Sequence, residues 1–314
     1  MTSIQKCGVI GVGFVGATSA FTLATSGLFS EVVLVDMNRK KAEGEAADIN
    51  HGISFAKPCF VRAGDYGDLA ECGLVVIAAG ANQKQGETRI ELLGRNRVIM
   101  SSIIEHLMAV NQSAVLLIVS NPVDVLTYMA QKMSGLPAGQ VIGSGTVLDT
   151  ARLKYLVGQH LNVDSRNVHA FIIGEHGDSE LAVWSSANIS GVDLADYCRI
   201  TGKDDSFGAM QRIYENVRDA AYSIIEGKGA TYYGIGMAVR RIAEAIVRDE
   251  HSVLPVSSMI SGHYGVDGIC LGLPAVVGRN GAESVLDIPL SQDELFQLQS
   301  SAQKMKELID ELGD

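Results

Sequence analysis

The sequence has few cysteines, no long hydrophobic run and no secretory leader. Its five cysteines, Cys7, Cys59, Cys72, Cys198 and Cys270, are scattered and form no C-x-x-C pair, which argues against a disulfide framework and a zinc cluster. No window holds the roughly 20 apolar residues that a membrane-spanning helix needs. Residues 1–6 lack the charged and apolar regions of a signal peptide. We therefore expect a cytoplasmic protein with reduced thiols and no bound metal.

Positive charge is also scarce. The chain has 25 Lys and Arg against 36 Asp and Glu, a net charge of −11, which argues against nucleic acid and acidic membrane surfaces as partners. An anionic substrate is still allowed if a few arginines converge in one cleft. With 47% apolar and 19% charged residues among 314, the chain should form a sizeable core, in one large domain or two.

Residues 7–36 contain the most informative pattern of the chain. A short apolar run precedes the sequence GVGFVG at residues 11–16, a segment of helical length extends to Ser26, and a second strand-like run ends at Asp36. In a G-x-G-x-x-G turn, Gly11 allows the tight bend, Gly13 lets the backbone approach a pyrophosphate, and Gly16 lets the helix pack on the strand. The helix N-terminus then offers free N–H groups to the phosphates.

Asp36 makes this pattern more specific. The three glycines alone are weak evidence, because a glycine-rich hairpin contains the same letters. Asp36 follows Gly16 by 20 residues and closes the second strand, where a carboxylate can hold a ribose 2′-hydroxyl. The same carboxylate repels a 2′-phosphate, so the pattern predicts NAD rather than NADP as cofactor.

The order of the later elements predicts an α/β fold. Strand-like runs alternate with helical segments up to residues 141–143, which is typical of a Rossmann-type doubly wound parallel sheet. The second half has one long helical stripe from Met210 to Ile224, antiparallel strand candidates at 253–261 and 269–277, and a capping box at Ser291 and Glu294. We expect an NAD-binding domain over residues 1–144 and an α+β substrate domain with its own core over residues 145–314.

Four side chains are candidates for chemistry on a carbonyl substrate. Reduction of a carbonyl needs a proton donor, and His176, between two glycines, suits this role near neutral pH; a surface-loop histidine is the alternative. Asp149 and Arg152 share a helix face, either as an ordinary ion pair or as the partner of His176 and a clamp for a substrate carboxylate. Arg89, at the end of a polar loop, is placed to polarise the carbonyl when that loop closes.

Five segments, in their order along the whole chain, resemble the bacterial L-lactate dehydrogenases of the lactate/malate dehydrogenase superfamily. They are GVGFVG at 11–16, ANQKQGETR at 81–89, NPVDVLT at 121–127, GSGTVLDTAR at 143–152 and GEHGD at 174–178. The resemblance implies reversible hydride transfer between NADH and pyruvate, giving L-lactate, in a homotetramer.

The resemblance also implies roles for individual residues. The catalytic set is His176 as proton donor and acceptor, Asp149 as its partner, Arg152 as carboxylate clamp and Arg89 as the arginine of a mobile lid. The substrate pocket adds Gln83, Asn121 and Thr231. The cofactor-binding set is Gly11, Val12, Gly13, Phe14, Val15, Gly16, Asp36, Gly80, Ala81, Asn96, Asn121 and Ile235.

Gln83 bears on the choice of substrate. Malate dehydrogenases of the superfamily are expected to have an arginine there, which pairs with a second carboxylate, so a neutral amide favours pyruvate. A malate or broader 2-hydroxy-acid dehydrogenase is the alternative enzyme; hydroxyisocaproate dehydrogenases are similar but differ in the lid loop. An NAD-binding structural protein without catalysis is an alternative of another class.

Two further positions bear on regulation. Allosteric members of the family bind fructose 1,6-bisphosphate between subunits through an arginine and a histidine from each chain. The matching residues are Lys154 and His169. Lys154 keeps the charge but lacks the planar fork of arginine, so the resemblance implies a weakened response to the bisphosphate, and a surface lysine and a strand histidine without a ligand are the alternative.

Overall fold

The computed structural model describes residues 5–81, 89–203 and 207–311. The first half alternates strands and helices as expected. Its elements are β1 (Lys6–Ile10), α1 (Phe14–Ser26), β2 (Glu31–Val35), α2 (Arg39–Ile53), β3 (Phe60–Ala63), β4 (Leu74–Ile77), α3 (Arg89–Met108), β5 (Val115–Ile118), α4 (Val123–Ser134) and β6 (Val141–Gly143).

The second half mixes helices with antiparallel strands. Its elements are α5 (Val147–Leu161), β7 (Val168–Ile173), β8 (Leu181–Ile189), β9 (Val192–Asp193), α6 (Leu194–Thr201), α7 (Phe207–Arg218), α8 (Ala220–Lys228), α9 (Tyr233–Arg248), β10 (Ser252–His263), β11 (Val266–Gly278), β12 (Gly281–Val285) and α10 (Gln292–Asp310). The predicted capping box is present: the Ser291 hydroxyl accepts from the Glu294 N–H, and the Glu294 side chain accepts from the Ser291 N–H. No helix of the described residues is long and apolar enough to span a bilayer.

The six strands of the first half form a parallel sheet in the order β3-β2-β1-β4-β5-β6. The chain reverses its winding direction between β1 and β4, and the carboxyl ends of strands at such a switch point form a ligand-binding crevice. The central strands β4 and β5 are buried along their whole length, as expected for a sheet covered by helices on both faces. The doubly wound Rossmann-type fold predicted from the sequence is therefore confirmed.

The antiparallel hairpin predicted from the sequence is present, but it also pairs with the sheet of the first half. The sequence places β10 and β11 within the substrate domain, whereas β10 pairs with β6 at Ser257 and Gly143 and extends the parallel sheet to nine strands. This pairing covers the otherwise open hydrogen-bonding edge of β6. The sheet thus crosses the expected boundary at residues 144 and 145, and that boundary stays a prediction.

The hydrophobic core is also shared between the two halves of the chain, which the sequence does not predict. One buried cluster contains Ile77 of β4 together with Leu271 of β11 and Leu298 of α10, so it joins both halves of the chain. A separate cluster, extending from Leu153 to Val217, belongs to the second half alone. Only this second cluster fits the prediction of a core of its own for the second half.

The predicted long helix after residue 207 is interrupted. Helices α7 and α8 are separated by Asp219, whose φ of −87° and ψ of −4° depart from helical geometry. The predicted apolar face is buried at Met210, Ile213 and Val217, but Ile224 is exposed. The periodicity therefore predicted the inward face correctly only up to the break.

Candidate active site

The glycine turn between β1 and α1 has the geometry that the sequence predicts. Gly11 has a φ of +88°, and a Cβ there would lie 2.6 Å from the backbone of Ala79. A Cβ on Gly16 would lie 1.8 Å from the Gly11 carbonyl oxygen, so α1 packs on the turn without room for a side chain. A Cβ on Gly13 would meet no described atom within 4 Å. The first and third glycines are thus required by packing, and the second faces open space.

The N-terminus of α1 suits an anionic group. Within the described residues, its N-cap Gly13 offers no side-chain cap and the first turn has no acidic residue, so backbone N–H groups stay available. The Val12 side chain is buried and that of Phe14 is exposed at the turn. The uncapped first turn and the open space at Gly13 therefore leave this end of α1 accessible to a ligand.

The Asp36 carboxylate is held rigidly at the end of β2. One of its oxygens accepts from the Val12 N–H at 2.8 Å and the other from the Asn38 N–H at 2.8 Å. These bonds connect Asp36 directly to the glycine turn. The carboxylate is only partly buried and is oriented beside the turn, where the sequence predicts a ribose.

Asn96, predicted as a cofactor ligand, is buried and bound to the protein backbone. Its Oδ1 accepts from the Ala81 N–H at 2.8 Å and its Nδ2 donates to the Asn121 carbonyl at 3.1 Å. It thereby connects the segment after β4 with the segment after β5, and these segments contain the predicted residues Gly80, Ala81 and Asn121. Any contact of Asn96 with a cofactor stays a prediction.

His176, Asp149 and Arg152 form one hydrogen-bonded group. His176 follows β7, and its Nδ1 lies 2.6 Å from Asp149 Oδ2. The other Asp149 oxygen accepts from Arg152 Nη1 at 2.7 Å. Asp149 is buried in the first turn of α5, whereas His176 and Arg152 are partly exposed. Because Asp149 engages Nδ1, Nε2 is the ring nitrogen left to face a substrate.

The charges of this group stabilise one another. Burial lowers the pKa of His176, but the Asp149 carboxylate outweighs it and raises that pKa to about 9. Burial also raises the pKa of Asp149, and the adjacent His176 and Arg152 outweigh it, so the Asp149 pKa lies below its usual range. At neutral pH the arrangement is an imidazolium paired with a carboxylate, ready to donate a proton.

Two residues that the sequence did not single out hold the His176 loop in place. The Asp124 carboxylate, fully buried at the start of α4, accepts from the His176 N–H at 2.8 Å and from the Ser257 hydroxyl at 2.6 Å. The Ser301 hydroxyl of α10 accepts from the Glu175 N–H at 2.9 Å. Asp124 lies in the NPVD segment, just after a strand end, and this placement was a sequence signal for it.

The segment before α9 reaches the glycine turn. Tyr232, next to the predicted pocket residue Thr231, stacks on Phe14 with ring centroids 5.3 Å apart. The hydroxyl of Thr22 in α1 donates to the Gly236 carbonyl at 2.9 Å, which places the first turn of α9, including Ile235, against α1. Residues from the two halves of the chain therefore meet beside the turn.

The other predicted positions are distributed as follows. Gln83 lies outside the described residues, and so does the side chain of Arg89, the first residue of α3. Lys154 lies on α5, partly buried, and burial lowers its pKa. His169 lies exposed on β7, which packs on α5 through hydrogen bonds of the Thr150 hydroxyl with Ile172.

Comparison with known proteins identifies the family. Residues 5–143 match the NAD binding domain of lactate/malate dehydrogenases, and residues 146–313 match their alpha/beta C-terminal domain. The chain belongs to the lactate/malate dehydrogenase family. The family's first domain binds NAD, and the glycine turn, the uncapped α1 and Asp36 fit that group.

Several relatives are similar over their full length. An L-lactate dehydrogenase of Thermoanaerobacter pseudethanolicus is 53% identical over 98% of this chain and 99% of its own. One of Acetivibrio thermocellus is 52% identical over 98% and 96%. The crystal structure of a lactate dehydrogenase from a Medee basin deep-sea metagenome library has a TM-score of 0.96 at 46% identity, covering 100% of both chains.

Proposed function

We propose that the protein is an NAD-dependent L-lactate dehydrogenase that interconverts pyruvate and L-lactate. The observation that carries the proposal is the Asp149, His176 and Arg152 group, positioned on a chain whose full-length relatives are named L-lactate dehydrogenases. The nicotinamide of NAD supplies or accepts the hydride. The protein supplies the proton, the carboxylate clamp and the exclusion of water.

In this proposal His176 exchanges a proton with the substrate oxygen. During reduction, the imidazolium donates from Nε2 to the oxygen of the former carbonyl; during oxidation, the neutral imidazole removes the hydroxyl proton at the same atom. Asp149 keeps the ring oriented through Nδ1 and stabilises its positive charge. Asp124 fixes the backbone of the same residue and so keeps the loop in place beneath the ring.

Arg152 and the loop after β4 define the substrate in the same proposal. The Arg152 guanidinium binds the substrate carboxylate, and its bond to Asp149 holds it on the histidine side of the site. The sequence resemblance assigns Arg89 to polarise the carbonyl and Gln83 to the methyl end of pyruvate, with Asn121 and Thr231 completing the pocket. These roles of residues 83 and 89 rest on the sequence resemblance alone.

The test is a panel of 2-oxo acids with NADH, with absorbance of NADH followed in time. We expect the highest kcat/KM for pyruvate and a loss of about 10²–10⁴-fold in kcat for His176→Asn. His51→Asn, an exposed histidine of α2, is the matched control and should leave kcat unchanged. A preference for oxaloacetate would instead indicate a malate dehydrogenase, and no NADH consumption with any acid would indicate a binding protein.

We also propose a cytoplasmic homotetramer with a weak response to fructose 1,6-bisphosphate. Five buried free cysteines suit a reducing compartment. Lys154 and His169, on the packed elements α5 and β7, are the side chains proposed to bind the phosphates between subunits. Analytical ultracentrifugation at several protein concentrations tests the tetramer.

A further inference from the structure

Glu180 presents a buried carboxyl group beside the His176 site, and nothing above assigns it a role. Its side chain lies just before β8 and is 5% exposed. Its backbone is fixed on both sides, because its N–H donates to the Gly177 carbonyl at 3.2 Å and its carbonyl accepts from the Tyr214 hydroxyl. The backbone of Glu180 is thus held in place, and its side chain is buried and not solvated.

The carboxyl group lies beside His176 and Asp149, and one of its two oxygens has no hydrogen-bond partner in the described part of the chain. Among the described residues, Glu180 Oε1 is buried and has no hydrogen-bond partner. One oxygen of Glu180, one of Asp149 and one ring nitrogen of His176 all lie within 4.8 Å of one another. A second buried acid at this distance from Asp149 cannot ionise without repulsion, unless a positive charge compensates.

The charges around Glu180 come from several elements. Asp149 and Arg152 face it from α5, His176 from the loop after β7, and Arg218 and Tyr214 from α7. Burial and the Asp149 carboxylate raise the pKa of Glu180 to about 8, against the three positive groups. On its other side, His176 also faces Asp124. Since these sites interact, their apparent pKa values belong to the group as a whole.

We propose that Glu180 is a positioning residue that stabilises the protonated ring of His176: its buried carboxyl group lies within 4.8 Å of the ring nitrogen and holds the positive charge there when it ionises. The proton that Glu180 releases goes to solvent, and the carboxylate left behind stabilises the positive charge on the ring. The pH range in which His176 can donate to pyruvate is thereby extended upward. The inference rests on the proposed proton transfer by His176.

The first test is the pH dependence of kcat/KM in both directions for Glu180→Gln, which keeps the shape and removes the charge. The alkaline fall in kcat/KM for pyruvate should move down by about 1 pH unit, because His176 loses its proton earlier. The acidic fall in kcat/KM for L-lactate should move down equally, since the same ring must be neutral there. Asp178→Asn, an exposed carboxylate two residues away, is the control and should leave both limbs in place. If both pH profiles of kcat/KM in Glu180→Gln coincide with those of the wild type, the inference is overturned.

The second test observes His176 directly by NMR of ¹³C-labelled histidine, with the resonance assigned by its loss in His176→Asn. The His176 pKa should be lower in Glu180→Gln than in the wild type, and equal values would overturn the inference. Glu180→Asp shortens the side chain by one methylene and so moves the carboxyl group away from the ring. It should give a His176 pKa between those of the wild type and Glu180→Gln, and it replaces Glu180→Gln if that variant does not fold. A fully active His176→Asn would refute the proposed proton transfer by His176, whereas an inactive His176→Asn together with an unchanged pH profile of Glu180→Gln refutes this inference alone.

Discussion

At the scale of single residues, the proposed role of Gln83 is to decide which 2-oxo acid the site accepts. Gln83→Arg should move the ratio of kcat/KM values from pyruvate toward oxaloacetate, because a second substrate carboxylate gains a bidentate partner. Gln85→Arg, in the same loop, adds the same charge and is the control. Initial rates with both acids measure the ratio. If the two variants respond alike, the effect is one of net charge and Gln83 is not the discriminating residue.

We expect the Asp36 carboxylate to decide between the two nicotinamide cofactors. Asp36→Ser should raise the use of NADPH relative to NADH, since the repulsion of a 2′-phosphate and the acceptor for the ribose hydroxyls are both lost. The bonds of Asp36 to the Val12 and Asn38 N–H groups are also lost, so some decrease in activity with NADH is expected. Asp48→Ser, on the exposed face of α2, removes the same charge elsewhere. An NADPH/NADH ratio unchanged in Asp36→Ser would place the ribose at another residue.

At the scale of elements, the contact between α1 and α9 joins the cofactor turn to the substrate pocket. A Cβ on Gly236 would lie 2.7 Å from Thr18 Cγ2 and 3.3 Å from the Thr18 carbonyl oxygen, so in Gly236→Ala either the Thr18 side chain or one of the two helices must shift. We expect a loss of about 1–3 kcal/mol in the free energy of unfolding. Gly44→Ala in α2, where no described atom lies within 4 Å of the new Cβ, should instead stabilise by about 0.5–1 kcal/mol. Urea denaturation measures the free energy of unfolding of both variants. Equal values would show that the contact between α1 and α9 accommodates the added methyl group.

At the scale of the whole molecule, the buried group around His176 makes stability depend on pH. The folded-state pKa of His176 is raised from 6.5 to about 9, so its stabilisation is complete below about 6.5 and is lost as pH rises toward 9. The Glu180 pKa is raised from 4.5 to about 8. Between these two pH values the folded state therefore binds more protons than the unfolded state, and stability falls as pH rises. The Tm of the free protein should therefore decrease from about pH 6.5 to about pH 9. Calorimetry checks the slope, which should be shallower in Glu180→Gln; a Tm rising with pH would contradict the assignment.

Regulation also belongs to the whole molecule, because the proposed effector site lies between subunits. Fructose 1,6-bisphosphate should lower the KM for pyruvate below neutral pH, where histidine side chains gain a proton, and the effect should fade at higher pH. Lys154→Arg should strengthen the response by adding a bidentate fork, and His169→Ala should abolish it. His51→Ala is the histidine control. Pyruvate saturation curves at mildly acidic pH that superimpose with and without the bisphosphate would refute the proposal.

Most of the fold could be predicted from local patterns in the sequence. The period of the apolar residues and the G-x-G-x-x-G turn predicted the strands, α1 and the parallel sheet, because a turn without Cβ atoms and a run of buried residues are properties of the local chain. The capping box at Ser291 is equally local and was predicted correctly. The pairing of His176 with Asp149 was predicted as one of two interpretations of the sequence.

Tertiary structure decided what depends on contacts between distant residues. The sequence left open whether Asp149 bonds Arg152 or His176, and the fold brings both to its two oxygens, because α5 begins beside the end of β7. Asp124 and Ser301 reach the His176 loop from 52 and 126 residues away; the strand end before Asp124 marks it as a candidate, but only the fold brings either residue to that loop. The hairpin of β10 and β11 joins the first sheet because the edge of β6 needs a partner, which is a property of the assembled sheet. Glu180 looks like an ordinary charged residue in the sequence, and only its burial beside Asp149 and His176 gives its carboxyl group a role.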